Sequence, residues 1–169
     1  MSLAIPEIPP QFNASRFFVD RHVEEGRGNR VAFHYEDRSL TYAGLQELVN
    51  RTGNALLELG VQREQRILCL LLDSPEFLAA FWGAIKIGAI PIPVNTMMRG
   101  QDYLYFLDDS RAPVAIISEP LLVLALALAG RAVAALAGFT AMASISTRSS
   151  GWTSRETTTR VFGGYTPSG

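Results

Sequence analysis

Two hydrophobic periods share the first two-thirds of the chain. Leu45, Leu48, Val49, Thr52, Leu56 and Leu59 recur at three- and four-residue steps, the spacing that gathers side chains on one face of an α-helix. Thr41 stands where that helix needs an N-cap, and Gly60 where it stops. Residues 67–72 form an unbroken apolar run, the pattern of a strand covered on both faces, which belongs to parallel sheets. Asp73-Ser74-Pro75-Glu76 follows with a capping side chain, a proline suited to a first helical turn and an acid at the positive helix end. A helix is therefore predicted through Phe77, Phe81, Trp82 and Ile85, closed by Gly88. Residues 89–94 predict a second strand, 101–109 a helix carrying Tyr103, Phe106 and Leu107, and 114–118 a third strand. Upstream, residues 13–23 predict a short helix ended by Gly26 and Gly28. Residues 31–35, turning at Glu36-Asp37-Arg38 toward Ser39-Leu40, predict a hairpin. The alternation of strands and helices predicts an α/β fold: a doubly wound, mostly parallel sheet flanked by helices, with right-handed crossovers.

Composition changes along the chain. Overall, 48% of the 169 residues are hydrophobic and 18% charged, enough apolar sequence for one core and too much for general disorder. Residues 1–122 carry 11 basic and 15 acidic side chains, against four basic and one acidic in the remainder. The expected organisation is an α/β unit over 1–122, an Ala/Leu-rich helix over 123–139 and an irregular, Ser/Thr/Arg-rich tail of low order over 140–169. One lysine, Lys86, against fourteen arginines points to Arg-biased coding. A shifted frame in such DNA yields Ala/Arg/Ser/Thr/Gly-rich sequence, so a frameshift or truncation is one explanation of the tail.

Charge and side-chain chemistry exclude several functions. Fifteen basic and 16 acidic residues leave a formal charge of -1, with no basic surplus for a nucleic-acid backbone. Cys69 alone cannot form an internal disulfide, and His22 and His34 make no ligand-spaced cluster, so no metal is expected and a reducing, cytoplasmic compartment is. Residues 1–12 hold three prolines and no basic-then-apolar run, which argues against a secretory signal. A membrane span over 121–143 would bury Arg131 near the bilayer centre at about 2.5 to 3.5 kcal/mol, so a membrane-tethered chain is the weakest reading.

The polar motifs have structural explanations. Asp73-Ser74-Pro75-Glu76 sits at the carboxyl end of a predicted strand, where doubly wound sheets bind ligands, but a helix cap already accounts for it. Gly26-Arg27-Gly28-Asn29 lacks the third glycine of a dinucleotide loop and precedes a strand. His22 and His34 read as half-buried structural residues. Cys69, between leucines and isoleucine, reads as a core residue with a raised pKa.

Leu40-Thr41-Tyr42-Ala43-Gly44-Leu45 resembles the Leu-Thr-Tyr-x-Glu-Leu signature of the AMP-forming acyl-CoA synthetase family, with Gly44 in place of the acid. The resemblance continues through residues 49–56, 71–77 and 86–96. Leu72-Asp73-Ser74-Pro75-Glu76-Phe77, Pro93-Val94-Asn95-Thr96 and Asp108-Asp109-Ser110 are most similar to benzoate-CoA and related aryl-CoA ligases. It covers residues 13 to about 122, the opening segment of a much longer enzyme.

The resemblance implies a ligase that joins a carboxylate to the α-phosphate of ATP, then lets the CoA thiol displace AMP. ATP, magnesium and CoA are the cofactors implied for the complete enzyme, with none expected to bind tightly here. Leu40, Thr41, Tyr42, Gly88, Pro91, Pro93 and Asn95 carry the family signature, and their expected roles are capping, strand termination and core formation. The family's phosphate loop reads Tyr-[Ser/Thr]-Ser-Gly-[Ser/Thr]-Thr-Gly-x-Pro-Lys-Gly. Two partial echoes occur, at residues 149–153 and at Tyr165-Thr166-Pro167-Ser168-Gly169. The second makes Tyr165, Thr166, Ser168 and Gly169 the candidate phosphate-binding residues, although a Ser/Thr-rich tail also generates such runs by chance. No catalytic residue is assigned. The expectation is an aryl-CoA ligase fragment, inactive alone, whose partners are the remainder of the ligase or further copies of the chain, with an aromatic carboxylate as substrate of the full enzyme. The alternative is a stand-alone α/β interaction or regulatory module. The free sheet edge and uncovered faces of such a fragment predict poor solubility or dependence on a partner.

Overall fold

A computed structural model describes residues 8–121, 141–145 and 159–163. The first helical element among the described residues is a π-helical turn, Arg16–Asp20, continuing into α1 (Arg21–Glu24). The predicted short helix is thus present, with a widened turn that its residue spacing does not disclose. A two-stranded antiparallel hairpin follows, β1 (Val31–Tyr35) and β2 (Arg38–Thr41). Arg38 pairs with Tyr35, so the turn is one residue shorter than predicted. Helix α2 (Tyr42–Glu58) begins at Thr41, whose Oγ1 accepts the Gly44 N–H at 3.2 Å, as expected of an N-cap.

Three strands then alternate with two helices: β3 (Arg66–Leu70), α3 (Pro75–Lys86), β4 (Ile90–Pro93), α4 (Gly100–Ser110) and β5 (Val114–Ser118). β3 pairs in parallel with β4 on one side and with β5 on the other. The chain therefore steps outward from β3 to β4 and crosses back over β3 to β5. Alternate side chains of β3 and β5 divide between two cores. Ile67, Cys69, Val114 and Ile116 meet Leu56 of α2 and Ala80 and Ala84 of α3. On the other face, Leu68, Leu70, Ala115 and Ile117 meet Tyr103, Phe106 and Leu107 of α4. Helices on opposite faces of a parallel sheet are the doubly wound arrangement predicted from the sequence.

β6 (Ala141–Ile145) and β7 (Thr159–Gly163) complete a five-stranded sheet of order β4-β3-β5-β7-β6. β7 runs antiparallel to β5, and β6 antiparallel to β7. Both strands fall in the stretch expected to be irregular. Backbone pairing on the β5 edge requires no hydrophobic period, so periodicity carries no sign of them. The helix expected over 123–139 lies outside the described residues, as does nearly all of the membrane-span candidate. No helix among the described residues is long and apolar enough to cross a membrane.

A third core lies above α2 and α3, where Val19, Leu40, Leu45 and Val49 gather with Phe33, Leu78 and Trp82. α2 and α3 touch at Gly53 and Gly83. A Cβ on Gly83 would stand 3.1 Å from the Val49 carbonyl oxygen and 3.2 Å from the Gly53 nitrogen, so only glycine allows the two backbones this close.

Candidate functional site

In an open α/β sheet the chain reverses direction between two neighbouring parallel strands, and the crevice at their carboxyl ends is where ligands bind. Here the reversal lies between β3 and β5. Two loops meet there. The Leu72 N–H donates to the buried Ser118 Oγ at 3.0 Å, tying the exit of β3 to the end of β5. Ser74 then enters α3 as its N-cap residue, but its side chain caps nothing. Pro75 has no N–H, and the Ser74 carbonyl oxygen already accepts the Phe77 N–H at 3.1 Å. The capping side chain predicted at Asp73-Ser74-Pro75-Glu76 is thus replaced by a backbone bond, and Ser74 Oγ is buried without a hydrogen-bond partner. Glu76, also predicted for the first turn, is buried near the helix N-terminus.

The loop after β4 borders the same edge and is held by its own side chains. Asn95 Oδ1 accepts the Met97 N–H at 2.8 Å. The Tyr103 hydroxyl donates to the Asn95 carbonyl at 2.9 Å and accepts the Met98 N–H at 3.1 Å. Arg99 and Asp102 exchange backbone and side-chain bonds at the start of α4. Met97, 91% exposed, stands out from this fixed loop.

The signature residues do not converge on this crevice. Leu40 is buried in the third core and Thr41 caps α2. Tyr42 stacks on His22 at 3.9 Å between ring centroids. Gly88 ends α3 at φ +83°, a left-handed conformation that favours glycine, and its carbonyl accepts the Glu64 N–H at 2.8 Å. Pro91 and Pro93 lie on β4, the edge strand. Ile90 and Val94 donate their N–H groups to Gln65 and Cys69 on the β3 side. The prolines, opposite in the pleat, remove donors from the open side and so block pairing by another strand. Of this set, Pro93, the last residue of β4, and Asn95 in the following loop lie at the carboxyl edge. Tyr165, Thr166, Ser168 and Gly169 lie outside the described residues; β7, which precedes them, ends at Gly163 opposite Val114.

No set of His, Cys, Asp or Glu able to hold a metal occurs among the described residues. Cys69 is buried, and burial pushes its thiol up to about 12, so no thiolate is available near neutral pH. His22 is held below its ordinary value by burial, reinforced by Arg27, Arg21 and Arg30. His34 differs from expectation: it is exposed, on the side of β1 opposite Phe33, and shares a 2.9 Å hydrogen bond with Ser39 Oγ. The polar groups of the described crevice therefore include side chains that fix its loops, with Ser74 Oγ left unpartnered.

Sequence reasoning missed one polar cluster. Lys86, the only lysine, donates to Asp20 Oδ1 at 2.8 Å and to Asn50 Oδ1, while Gln46 donates to Asp20 Oδ1 at 2.9 Å. Asn13 adds bonds to the Ile85 and Lys86 carbonyl oxygens. These contacts fasten the N-terminal helical turn to α2 and α3. Their separation in sequence, 66 residues for Lys86 and Asp20, leaves no short motif.

Comparison with known proteins places this scaffold. The model of the AMP-binding enzyme family matches residues 19–158. The chain belongs to that family. It is 44% identical over 111 residues to a 4-hydroxybenzoate–CoA/benzoate–CoA ligase of Rhodopseudomonas palustris, covering 66% of this chain and 21% of the relative. Against the benzoate–CoA ligase of Thauera aromatica it is 40% identical over 126 residues, covering 74% and 24%. Among solved structures, the anthranilate CoA ligase AuaEII in complex with anthranoyl-AMP superposes with a TM-score of 0.68 at 33% identity, covering 73% of this chain and 23% of that one. A benzoate CoA ligase from Burkholderia xenovorans LB400 gives 0.67 at 32% identity, covering 71% and 24%. The chain thus spans about a quarter of the length of these relatives.

Proposed function

We propose that this chain supplies the first α/β portion of an AMP-forming aryl-acid–CoA ligase acting on benzoate-like acids, and that it is catalytically silent alone. The observation that carries this reading is the 44% identity to a 4-hydroxybenzoate–CoA/benzoate–CoA ligase over 111 residues that make up 21% of that relative. In such a ligase the carboxylate attacks the α-phosphorus of ATP, pyrophosphate leaves, and the CoA thiol then displaces AMP from the mixed anhydride. Magnesium and a glycine-rich loop would neutralise the phosphates during the first step. Tyr165, Thr166, Ser168 and Gly169 are our candidates for the start of that loop. This portion's contribution is structural: a sheet, a fixed carboxyl edge and two tied loops against which the remainder is positioned.

The test is direct. Incubating the purified chain with ATP, magnesium, benzoate and CoA is expected to release no AMP above background, whereas benzoate-dependent turnover would refute silence. A second reading, an α/β module that binds a partner, draws on the half-buried aromatic side chains of α3. Co-purification with an unrelated protein at fixed stoichiometry would favour it.

A further inference from the structure

Between Glu76 and Lys86, α3 contains no polar side chain. A helix that is apolar all round is one that is buried all round. Among the described residues α3 is covered on three sides, the third by the core that takes up Leu78 and Trp82. Ala80 and Ala84 face the sheet, and Gly83 faces α2. Phe77, Phe81 and Ile85, spaced four residues apart and so on one stripe, remain half-buried. Phe77 reaches the first core, but Phe81 and Ile85 join none of the three. The stripe continues through ring contacts. Phe77 stacks on Phe81 at 6.1 Å, Phe81 meets Trp82 edge-on at 5.2 Å, and Trp82 reaches Phe18 at 5.6 Å. Phe18 is 52% exposed.

We infer that this aromatic stripe on α3 is an interdomain docking surface, and that its occupant is the part of an aryl-CoA ligase which this chain does not span. The inference rests on the ligase reading above. Two observations select the occupant. The relatives are about four times longer than the stretch that matches them, so most of their mass lies outside it. The stripe is uncharged, and Glu76 and Lys86 bound it at the two ends of the helix, so it fits an apolar face and not a charged ligand.

Thiol labelling reads the stripe directly, because the single native cysteine is buried and unreactive. Ile85→Cys is introduced into the full chain. The same variant is made in a chimera, in which the matching stretch of the Thauera aromatica benzoate–CoA ligase is replaced by this chain's. A maleimide is expected to label the isolated chain at least tenfold faster than the chimera. Equal rates would overturn the inference. So would slow labelling of the isolated chain that quickens on dilution, since a second copy would then cover the stripe. Benzoyl-CoA formation by the chimera separates the two readings: activity with an unprotected cysteine sinks the docking surface alone, and protection without activity sinks the ligase reading alone. Should the chimera not fold, Phe81→Ser in the full chain still decides. An open stripe predicts a loss of stability well below that of the fully buried Leu56→Ala and weaker binding of a hydrophobic dye, whereas a loss as large as that of Leu56→Ala would show that the isolated chain already buries the stripe.

Discussion

Helices α2 and α3 lie against each other and differ in how completely the chain accommodates them. α2 has one buried face, formed by Leu45, Val49, Thr52, Gly53 and Leu56, and an outer face that exposes Glu47, Asn50, Arg51, Asn54 and Glu58. Apart from Leu57, which is 53% exposed, its amphipathic pattern matches its surroundings. α3 has no fully exposed residue, yet five of its large apolar side chains are only half-buried. The difference teaches that α2 separates its apolar and polar faces within the described structure, while α3 has no polar face to turn to water, as the docking proposal requires. A stretch spanning a quarter of its relatives should contain both kinds of helix.

The largest expected effect tests the finished side of the comparison. Leu56 is 0% exposed in the first core, and Leu56→Ala should cost about 3 kcal/mol in urea unfolding from lost burial and the cavity left behind. Phe81→Ser, on the half-buried stripe, removes ring contacts with Phe77 and Trp82 and should cost about 1 kcal/mol, well short of the Leu56 loss. Similar losses at both sites would erase the contrast. Next comes the contact between the helices. Gly83→Ala must push α2 from α3, at about 2 kcal/mol. Differential hydrogen exchange should then show loosened amides in both helices, and confinement to α3 would contradict their close approach. Smaller again, Thr41→Ala removes the α2 cap and should cost about 1 kcal/mol, recovered in large part by Thr41→Ser.

The smallest effect is a pH dependence. His22 is held below its ordinary 6.5 when folded, so the unfolded chain binds more protons as pH falls through 6.5 toward the folded value. Stability from this residue is present above 6.5 and lost below it. His22→Phe keeps a ring against Tyr42 and should flatten that limb of a plot of urea midpoint against pH. An unaltered slope would mean that other groups set the dependence.

Legibility in the sequence followed the physics of each element. α2 and β5 were readable because a helical period and a continuous apolar run report burial directly. The strands β6 and β7 were not, because edge pairing is a backbone matter. Ser74 shows a subtler miss: residue order predicts a side-chain cap, but the Ser74 carbonyl takes the Phe77 N–H that the hydroxyl would have served. The cluster of Asp20, Gln46, Asn50 and Lys86 draws on three separate elements, and nothing local announces it. The signature residues identified a family while revealing little chemistry, since Thr41, Gly88, Pro91 and Pro93 shape a scaffold. The blunted β4 edge also moderates the aggregation expected of that edge.

One measurement bears most directly on the claim that this is a scaffold portion of an aryl-acid ligase. Benzoyl-CoA formation is followed with ATP, magnesium, benzoate and CoA, using the chain alone and the Thauera aromatica chimera without the cysteine reporter. The account predicts no product from the chain and benzoate-dependent product from the chimera. Product from the chain alone, or a folded chimera with none, would contradict it.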